Sequence, residues 1–189
     1  SHSTAYALVA YRTAWLKAHY PSEFLAATMT TEMNDTKRIV SLINEAQSMQ
    51  IKIIPPDINQ SKPDFSVTKK AEIIYGLAAI KNIGYKASKL IYKQRLIEGK
   101  YNSIFEMCKS LSNGGMNKKI LESLIVSGSC DSLNMKRSQL FKIIDKAIKF
   151  GQNYKNNQNQ NQASLFSNNE ENVIIEPSIP IINEWEKND

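Results

Sequence analysis

The apolar residues of the first fifty positions recur at the spacing of helices, and they predict three of them. The first helix ends near His19, because Pro21 cannot continue it and is suited to start the second, which runs to about Met33. Asn34 or Asp35 caps the third helix. The apolar stripe of that third helix consists of Ile39, Leu42, Ile43 and Ala46.

A short extended region follows the third helix. The stretch IKII is stopped by Pro55 and Pro56, and the stretches DFSVT and EIIYGL have the composition of two short strands around a polar turn at Lys69 and Lys70. The chain is therefore predicted to be mostly α, with one short β-hairpin between two helical regions.

Helical periodicity returns in the second half and continues to about residue 150. The stretch LAAIKNIGYKASKLIYKQRLIEG predicts two helices around a tight turn at Asn82, Ile83 and Gly84, and SIFEMCKSL predicts a short helix. The stretch NKKILESLIVSGSCDSL predicts a helix that turns at Ser127 and Gly128 and then continues. KRSQLFKIIDKAIKFG is the last predicted helix.

The composition changes abruptly after that helix. Residues 151–171 are dominated by Asn, Gln and Ser, which bury too little apolar surface to fold, and they predict a disordered linker. Apolar residues reappear in 172–189, which is expected to start a following region of a longer polypeptide. The predicted parts are 1–60, 61–150, 151–171 and 172–189.

The net charge of +6 is concentrated in one part of the chain. Residues 77–150 hold fourteen Lys and Arg side chains against five Asp and Glu. A phosphate backbone is the commonest partner of such a basic segment, although a solvated lysine-rich surface has the same composition.

Other compositional signals exclude several classes of protein. No apolar run approaches the roughly 18 residues that cross a bilayer, so no membrane partner is expected. Cys108 and Cys130 lack metal-ligand or CxxC spacing and predict two reduced thiols in a cytoplasmic protein.

The turn at Asn82, Ile83 and Gly84 has the chemistry of a phosphate site. The first amide groups of the helix that begins at Gly84 have no intrahelical acceptor, and the helix dipole favours an anion there. Glycine permits close approach of a DNA backbone, and asparagine tolerates positive φ. The lysines expected to surround this turn are Lys81, Lys86 and Lys89. A plain helical hairpin would show the same pattern.

A second turn of similar form follows about forty residues later. Ser127 and Gly128 occupy this turn, Ser129 is expected to open the next helix, and Lys118 and Lys119 precede it. Two such hairpins can pack as a pseudo-symmetric pair and hold both strands of a duplex. The pair predicts a tandem helix-hairpin-helix domain that binds duplex DNA without reading its sequence.

The N-terminal stretch SHSTAYALVAYRTAWLKAHYPSEFLAA resembles the fingers signature of the C-family bacterial replicative polymerases, the family of DNA polymerase III alpha subunits. The resemblance continues in the same order through IKIIPPDINQS, YGLAAIKNIG and NKKILESLIVSGSCDSL. It implies that residues 1–60 are the C-terminal part of the polymerase fingers and that 61–150 contain the duplex-binding hairpins.

The resemblance also implies an activity and its partners. The full enzyme would add deoxynucleotides to primer-template DNA with Mg²⁺, using palm carboxylates outside this segment, so no catalytic or metal-binding residue is expected here. Ser1, His2 and Tyr6 are predicted to face the incoming dNTP, whereas the alternative is a helix cap with two packed rings. Other polymerase III holoenzyme subunits are implied as further partners.

The segment QASLF in the linker fits the Gln-x-x-Leu-Phe pattern of the family's internal motif for the sliding clamp, the β subunit. Gln162 would bond the edge of a pocket that receives Leu165 and Phe166, although five-residue patterns also arise by chance. At the first turn, Asn82 replaces a glycine that the family usually carries, which we expect the turn to tolerate. Two alternatives stay open: a non-enzymatic helix-hairpin-helix module of a repair protein, and an error-prone C-family paralogue.

Overall fold

The computed structural model describes residues 2–112, 114, 116–163 and 176–185. These residues form eight α-helices, three short strands and two 3₁₀ turns, which confirms the mostly α prediction. The α-helices are α1 His2–His19, α2 Pro21–Thr31, α3 Thr36–Ser48, α4 Tyr85–Glu98, α5 Ile104–Ser110, α6 Lys118–Val126, α7 Arg137–Lys142 and α8 Ile144–Ala163. The strands are β1 Ile53–Ile54, β2 Ser66–Val67 and β3 Ile73–Ile74, and the 3₁₀ turns are Leu77–Ala79 and Asp131–Leu133.

The three N-terminal helices follow the sequence signals closely. Pro21 is the first residue of α2, and the Asp35 carboxylate caps α3 by accepting from the amide of Arg38 at 3.1 Å. Lys17 of α1 pairs with Glu45 of α3. The apolar residues of α1 stay exposed within the described part, since α1 packs on its neighbours mainly near its C-terminal end.

A small core lies between α2, α3 and the sheet. It is formed by Leu25, Ala26, Met29, Ile39, Leu42, Ala46, Ile51, Phe65 and Ile73. The sheet order is β1-β3-β2, in which β2 and β3 form the predicted antiparallel hairpin and β1 pairs with β3 in parallel. Sequence patterning gave β1 only as an extended piece, because the β1–β3 pairing is long-range.

The main core is shared by α4 to α8 and the loop before β2. Its largest buried side chains include Ile58, Leu77, Ile91, Phe105, Met107 and Leu121. Asn59 fastens the loop to the helices: its amide donates to the Tyr101 carbonyl at 2.9 Å, and its side-chain oxygen accepts from the Tyr101 amide at 2.8 Å. Asp57 accepts from Ser132 at 2.9 Å. The loop therefore links the two cores, since Ile58 belongs to the main core and Phe65 to the small one.

The segment before the first turn is shorter than predicted. A full helix was expected there, but the structure has only the 3₁₀ turn Leu77–Ala79, after which Ile80 is extended. The amides of Leu77 and Ala78 donate to the carbonyls of Lys62 and Pro63, at 2.9 and 3.0 Å. These bonds to the preceding loop hold the chain beside the sheet, and the extended conformation of Ile80 ends the helical segment after one turn.

The prediction of a linker beginning at Gly151 is wrong for residues 151–163, which continue α8. Gly151 is buried against α5, and a Cβ there would lie 2.8 Å from the carbonyl carbon of Cys108. Lys109 also lies 4.4 Å above the ring of Tyr154. Once packing has formed the helix, adding each further residue costs little, even for Asn and Gln. Residues 164–171 of the predicted linker lie outside the described residues.

No helix in the described ranges combines the length and the apolar character needed to cross a membrane.

We predict that Gly151→Ala destabilises the chain, although helix propensity alone would favour alanine by about 1 kcal/mol. The added methyl group would collide with the α5 backbone, and such overpacking costs roughly 1–3 kcal/mol. Urea unfolding of the 189-residue chain measures the change in the free energy of unfolding.

Gly84→Ala is the matched control, because a Cβ at Gly84 meets nothing within 4 Å. It should lower the free energy of unfolding by less than about 1 kcal/mol, through the poorer N-cap that alanine provides. A more stable Gly151→Ala variant would show that α5 and α8 are not packed this closely.

Candidate nucleic-acid interface

The first bend, residues 80–84, connects the 3₁₀ turn to α4. Asn82 has φ 69°, a left-handed conformation that asparagine tolerates, and its neighbour Ile83 is only 2% exposed. The amide of Ile83 donates to the carbonyl of Ile80 at 3.0 Å. Gly84 then occupies the N-cap position of α4. The buried Ile83 side chain thus anchors the bend and leaves its other residues at the surface.

The N-terminus of α4 has the features of an anion site. Gly84 is exposed, and no side chain caps the amides of the first turn of α4. Lys81, Lys86 and Lys89 are all exposed, as the phosphate-site hypothesis requires. One carboxylate lies close by, since the Tyr85 hydroxyl donates to Asp64 at 3.3 Å, and Asp64 raises the pKa of that tyrosine.

The second bend, residues 127–131, is built differently. Gly128 has φ 79° and follows the C-cap residue Ser127 of α6. The amide of Gly128 donates to Ile125 at 3.0 Å, and the amide of Ser129 donates to Leu124 at 2.9 Å. This is the bonding pattern of a Schellman motif, in which the last carbonyls of a helix are satisfied by the residues after it.

This pattern corrects the role predicted for Ser129. The residue closes α6 instead of opening the next helix, because its amide is used by the Leu124 carbonyl. Ser129 is 0% exposed, and its carbonyl accepts from the Ile58 amide at 2.9 Å. The next element, the 3₁₀ turn, begins only at Asp131. Neither the side chain nor the amide of Ser129 is available to a ligand.

Arg137 covers the second bend, a contact that the sequence reasoning missed. Its guanidinium bonds both carboxylate oxygens of Asp131, at 2.8 and 2.6 Å, and Asp131 raises the pKa of Arg137. A Cβ on Gly128 would lie 3.1 Å from the Arg137 Cζ atom. Glycine at 128 therefore provides the positive φ and makes room for Arg137. A six-residue separation of Asp and Arg gives no sequence signal for this pairing.

The two bends lie side by side. Asn82 donates to Ser123 of α6 at 3.2 Å, and a groove of about 490 Å³ lies between the first bend and α6. Lys81 and Lys119, predicted at different turns, both line this groove. The other lining residues are Ile80, Asn82, Glu122, Ser123, Val126, Ser127 and Phe141. A second cleft, of about 850 Å³, lies on the other side of the first bend, towards Asn34 and Thr36.

Lys118 takes no part in this groove. Its ammonium group pairs with Asp145 of α8 at 2.9 Å, and this hydrogen bond raises the pKa of Lys118. Lys119 is exposed. The structure thus separates two neighbouring lysines that the sequence treated as equivalent.

The remaining predicted site residues are only partly described. Tyr6 lies on α1 and is 71% exposed, and His2 begins that helix. Ser1 lies outside the described residues. Gln162 belongs to the last turn of α8, whereas Leu165 and Phe166 lie outside the described residues.

The cysteines and the acidic residues offer no metal site within the described residues. Cys108 and Cys130 are buried free thiols, and burial raises the pKa of Cys108 to about 12 and that of Cys130 further. Both thiols are therefore protonated at neutral pH, and a protonated, buried thiol is a poor nucleophile. No group of three or more His, Cys, Asp and Glu side chains in the described part is placed to hold an ion.

Comparison with known proteins agrees with this geometry. A family model described as a helix-hairpin-helix motif matches residues 50–140, which contain both bends. The DNA polymerase III subunit alpha of Buchnera aphidicola from Schizaphis graminum is 44% identical over 93% of this chain and 15% of its own length. The same subunit of Buchnera aphidicola from Acyrthosiphon pisum is 47% identical over 78% of the chain and 13% of its own length.

The DNA polymerase III subunit alpha of Escherichia coli K12 is 40% identical over 88% of the chain and 14% of its own length. The resemblance seen in the N-terminal stretch is confirmed, and the chain spans only about a seventh of the relatives it matches. The chain therefore belongs to the family of bacterial DNA polymerase III alpha subunits and corresponds to one segment of such a protein.

Proposed function

We propose that this segment supplies the sequence-independent grip on duplex primer-template DNA in a polymerase that carries out template-directed DNA synthesis. The observation that carries the proposal is the exposed, uncapped N-terminus of α4 at Gly84, with lysines on the bend and on the first turns of the helix. Free amides and the positive end of the helix dipole suit a phosphate oxygen, and they carry no information about base sequence.

The lysines around the first bend add contacts to further phosphates of the DNA backbone. Lys81, Lys86, Lys89 and Lys119 are exposed, and none of them forms an ion pair with another described residue. Each phosphate that they neutralise releases counterion, so affinity should fall steeply with salt. Lys118 contributes less, because Asp145 already neutralises it. Ser127 lies at the edge of the same groove.

For the N-terminal region, we propose that α1 belongs to the polymerase fingers and that Ser1, His2 and Tyr6 face the incoming dNTP. Support comes from the family resemblance and from the exposure of Tyr6 on α1. Mg²⁺ would serve the whole enzyme. Among the described residues, no group of three or more His, Cys, Asp or Glu side chains is placed to hold it.

We also propose that Gln162, Leu165 and Phe166 bind the sliding clamp. Burial of the two apolar side chains in a pocket would favour binding by about 3–5 kcal/mol before ordering costs, which suits a weak and reversible contact. Attachment to bound DNA raises the local clamp concentration, so processivity would follow from avidity. The polymerase would act in the cytoplasm with other holoenzyme subunits.

The choice between a replicative enzyme and an error-prone paralogue rests on the whole protein. Clamp dependence and copying fidelity of the full-length polymerase would separate them.

We predict that replacing Lys81 and Lys86 with Glu weakens duplex binding by roughly tenfold at low salt for every sequence tested, and lowers the salt slope by about two. The reason is the loss of two phosphate contacts beside the α4 amides. Fluorescence anisotropy with labelled duplexes of different sequence measures both quantities.

Lys69→Glu with Lys70→Glu is the charge-matched control, since both lysines are exposed on the β2–β3 turn. It should reduce affinity only through the general change in net charge. Equal losses in the two double variants would contradict a local grip at the first bend.

We predict that Leu165→Ala with Phe166→Ala abolishes capture of the chain by purified clamp and leaves duplex affinity unchanged. Surface plasmon resonance with immobilised clamp tests this. Asn156→Ala with Asn157→Ala, at exposed positions of α8, is the control. Undiminished capture of the Leu165/Phe166 variant would refute the clamp proposal without affecting the DNA grip.

A further inference from the structure

Residues 176–185 form neither helix nor strand and pack back on the helical unit; we call them the strap. Twelve residues, 164–175, separate the end of α8 at Ala163 from the start of the strap at Glu176. Its contacts involve α7, the residue before α7, and Ser103 at the start of α5. Most of these contacts fall in residues 180–185, and Glu176 adds one at the other end of the strap.

Glu184 makes the most specific contact. Its carboxylate accepts from the amides of Arg137 and Ser138, at 2.9 and 3.0 Å, and these bonds lower the pKa of Glu184. The Ser138 hydroxyl donates to the carbonyl of Asn183 at 2.8 Å. The strap therefore supplies the missing cap of α7, whose own N-cap residue, Lys136, provides no side-chain hydrogen bond to the helix.

Strap residues on both sides of Glu184 also contact α7 or Lys136, the residue before it. The Lys136 ammonium donates to the carbonyl of Ile182 at 3.2 Å, and Gln139 donates to the carbonyl of Pro180 at 2.9 Å. Trp185 packs edge-on against Phe141, with ring centroids 5.4 Å apart. Phe141 also lines the groove between the first bend and α6, so the strap contacts a residue in the wall of that groove.

The polar groups at and beside the second bend already have partners within the chain, in α6, in Asp131 and in the strap. Arg137 is committed to Asp131 through its guanidinium and to Glu184 through its amide. Lys136 is bonded to the strap, and the amides of Gly128 and Ser129 are used by α6. The first bend has no comparable covering segment among the described residues.

We propose that Lys136 and α7, next to the second bend, form the binding site of the strap, so that this side of the helical unit anchors the chain internally while the duplex is gripped at the first bend. The inference rests on the proposed function for the DNA grip. If Gln162, Leu165 and Phe166 bind the clamp as proposed, the chain is anchored to the helical unit on both sides of them, by α8 and by the strap. The clamp would then be held close to the gripped duplex.

The test compares Glu184→Ala with two controls in the 189-residue chain. Ile181→Ser changes a strap side chain that is fully exposed, and Glu23→Ala removes one negative charge from the exposed first turn of α2. The hydrogen-exchange rates of the Arg137 and Ser138 amides measure whether Glu184 is bound to α7. Fluorescence anisotropy with a labelled duplex measures the affinity for DNA.

Loss of the charged acceptor should accelerate exchange of both amides by roughly tenfold or more in Glu184→Ala and in neither control. Duplex affinity of Glu184→Ala should stay within about twofold of Glu23→Ala, and saturating duplex should leave the two amides protected in the wild-type chain. Unchanged exchange rates of these amides in Glu184→Ala would contradict the proposed binding of the strap to α7. Clearly tighter duplex binding by Glu184→Ala, or loss of protection on adding duplex, would show that the strap covers a DNA site.

These failures are distinct from failure of the grip itself. The grip fails if the Lys81/Lys86 variant binds duplex like its control, whatever the behaviour of Glu184→Ala.

Discussion

Burial of Ile83 is the constraint on which the proposed DNA grip depends. With its side chain in the main core, the chain must leave the core at Gly84, and α4 begins at the surface with its first amides uncapped. The left-handed Asn82 and the hydrogen bond from Asn82 to Ser123 fix the direction of the bend against α6. A core contact thus positions an anion site, although the residues of that site make little contact with the core.

The two bends resemble each other in sequence and differ in structure because their helices meet them from opposite ends. At the first bend a helix starts, so amide donors are left over; at the second a helix ends, and the residues after it donate to its last carbonyls. Gly84 and Gly128 accordingly have different uses: the first leaves space at the surface, and the second accepts positive φ beneath Arg137. A pseudo-symmetric pair of hairpins can therefore be functionally asymmetric.

Local patterns in the sequence predicted most of the helices, the β2–β3 hairpin and the exposed lysines of the first bend. Pro21 marks a helix start through its fixed backbone and Asp35 through its capping carboxylate, so sequence alone reveals them. Long-range contacts decided the rest. The pairing of β1 with β3, the packing of Gly151 on Cys108, and the seat of Glu184 on α7 join distant residues, and composition had suggested a linker where α8 continues.

Amide chemical shifts during titration with a duplex test the central claim most directly. The account predicts saturable shifts for Gly84, Tyr85, Lys86 and Ala87, which weaken as salt is raised, and much smaller shifts for Gly128 and Ser129. Shifts concentrated at Gly128 and Ser129, with the α4 amides unmoved, would contradict it.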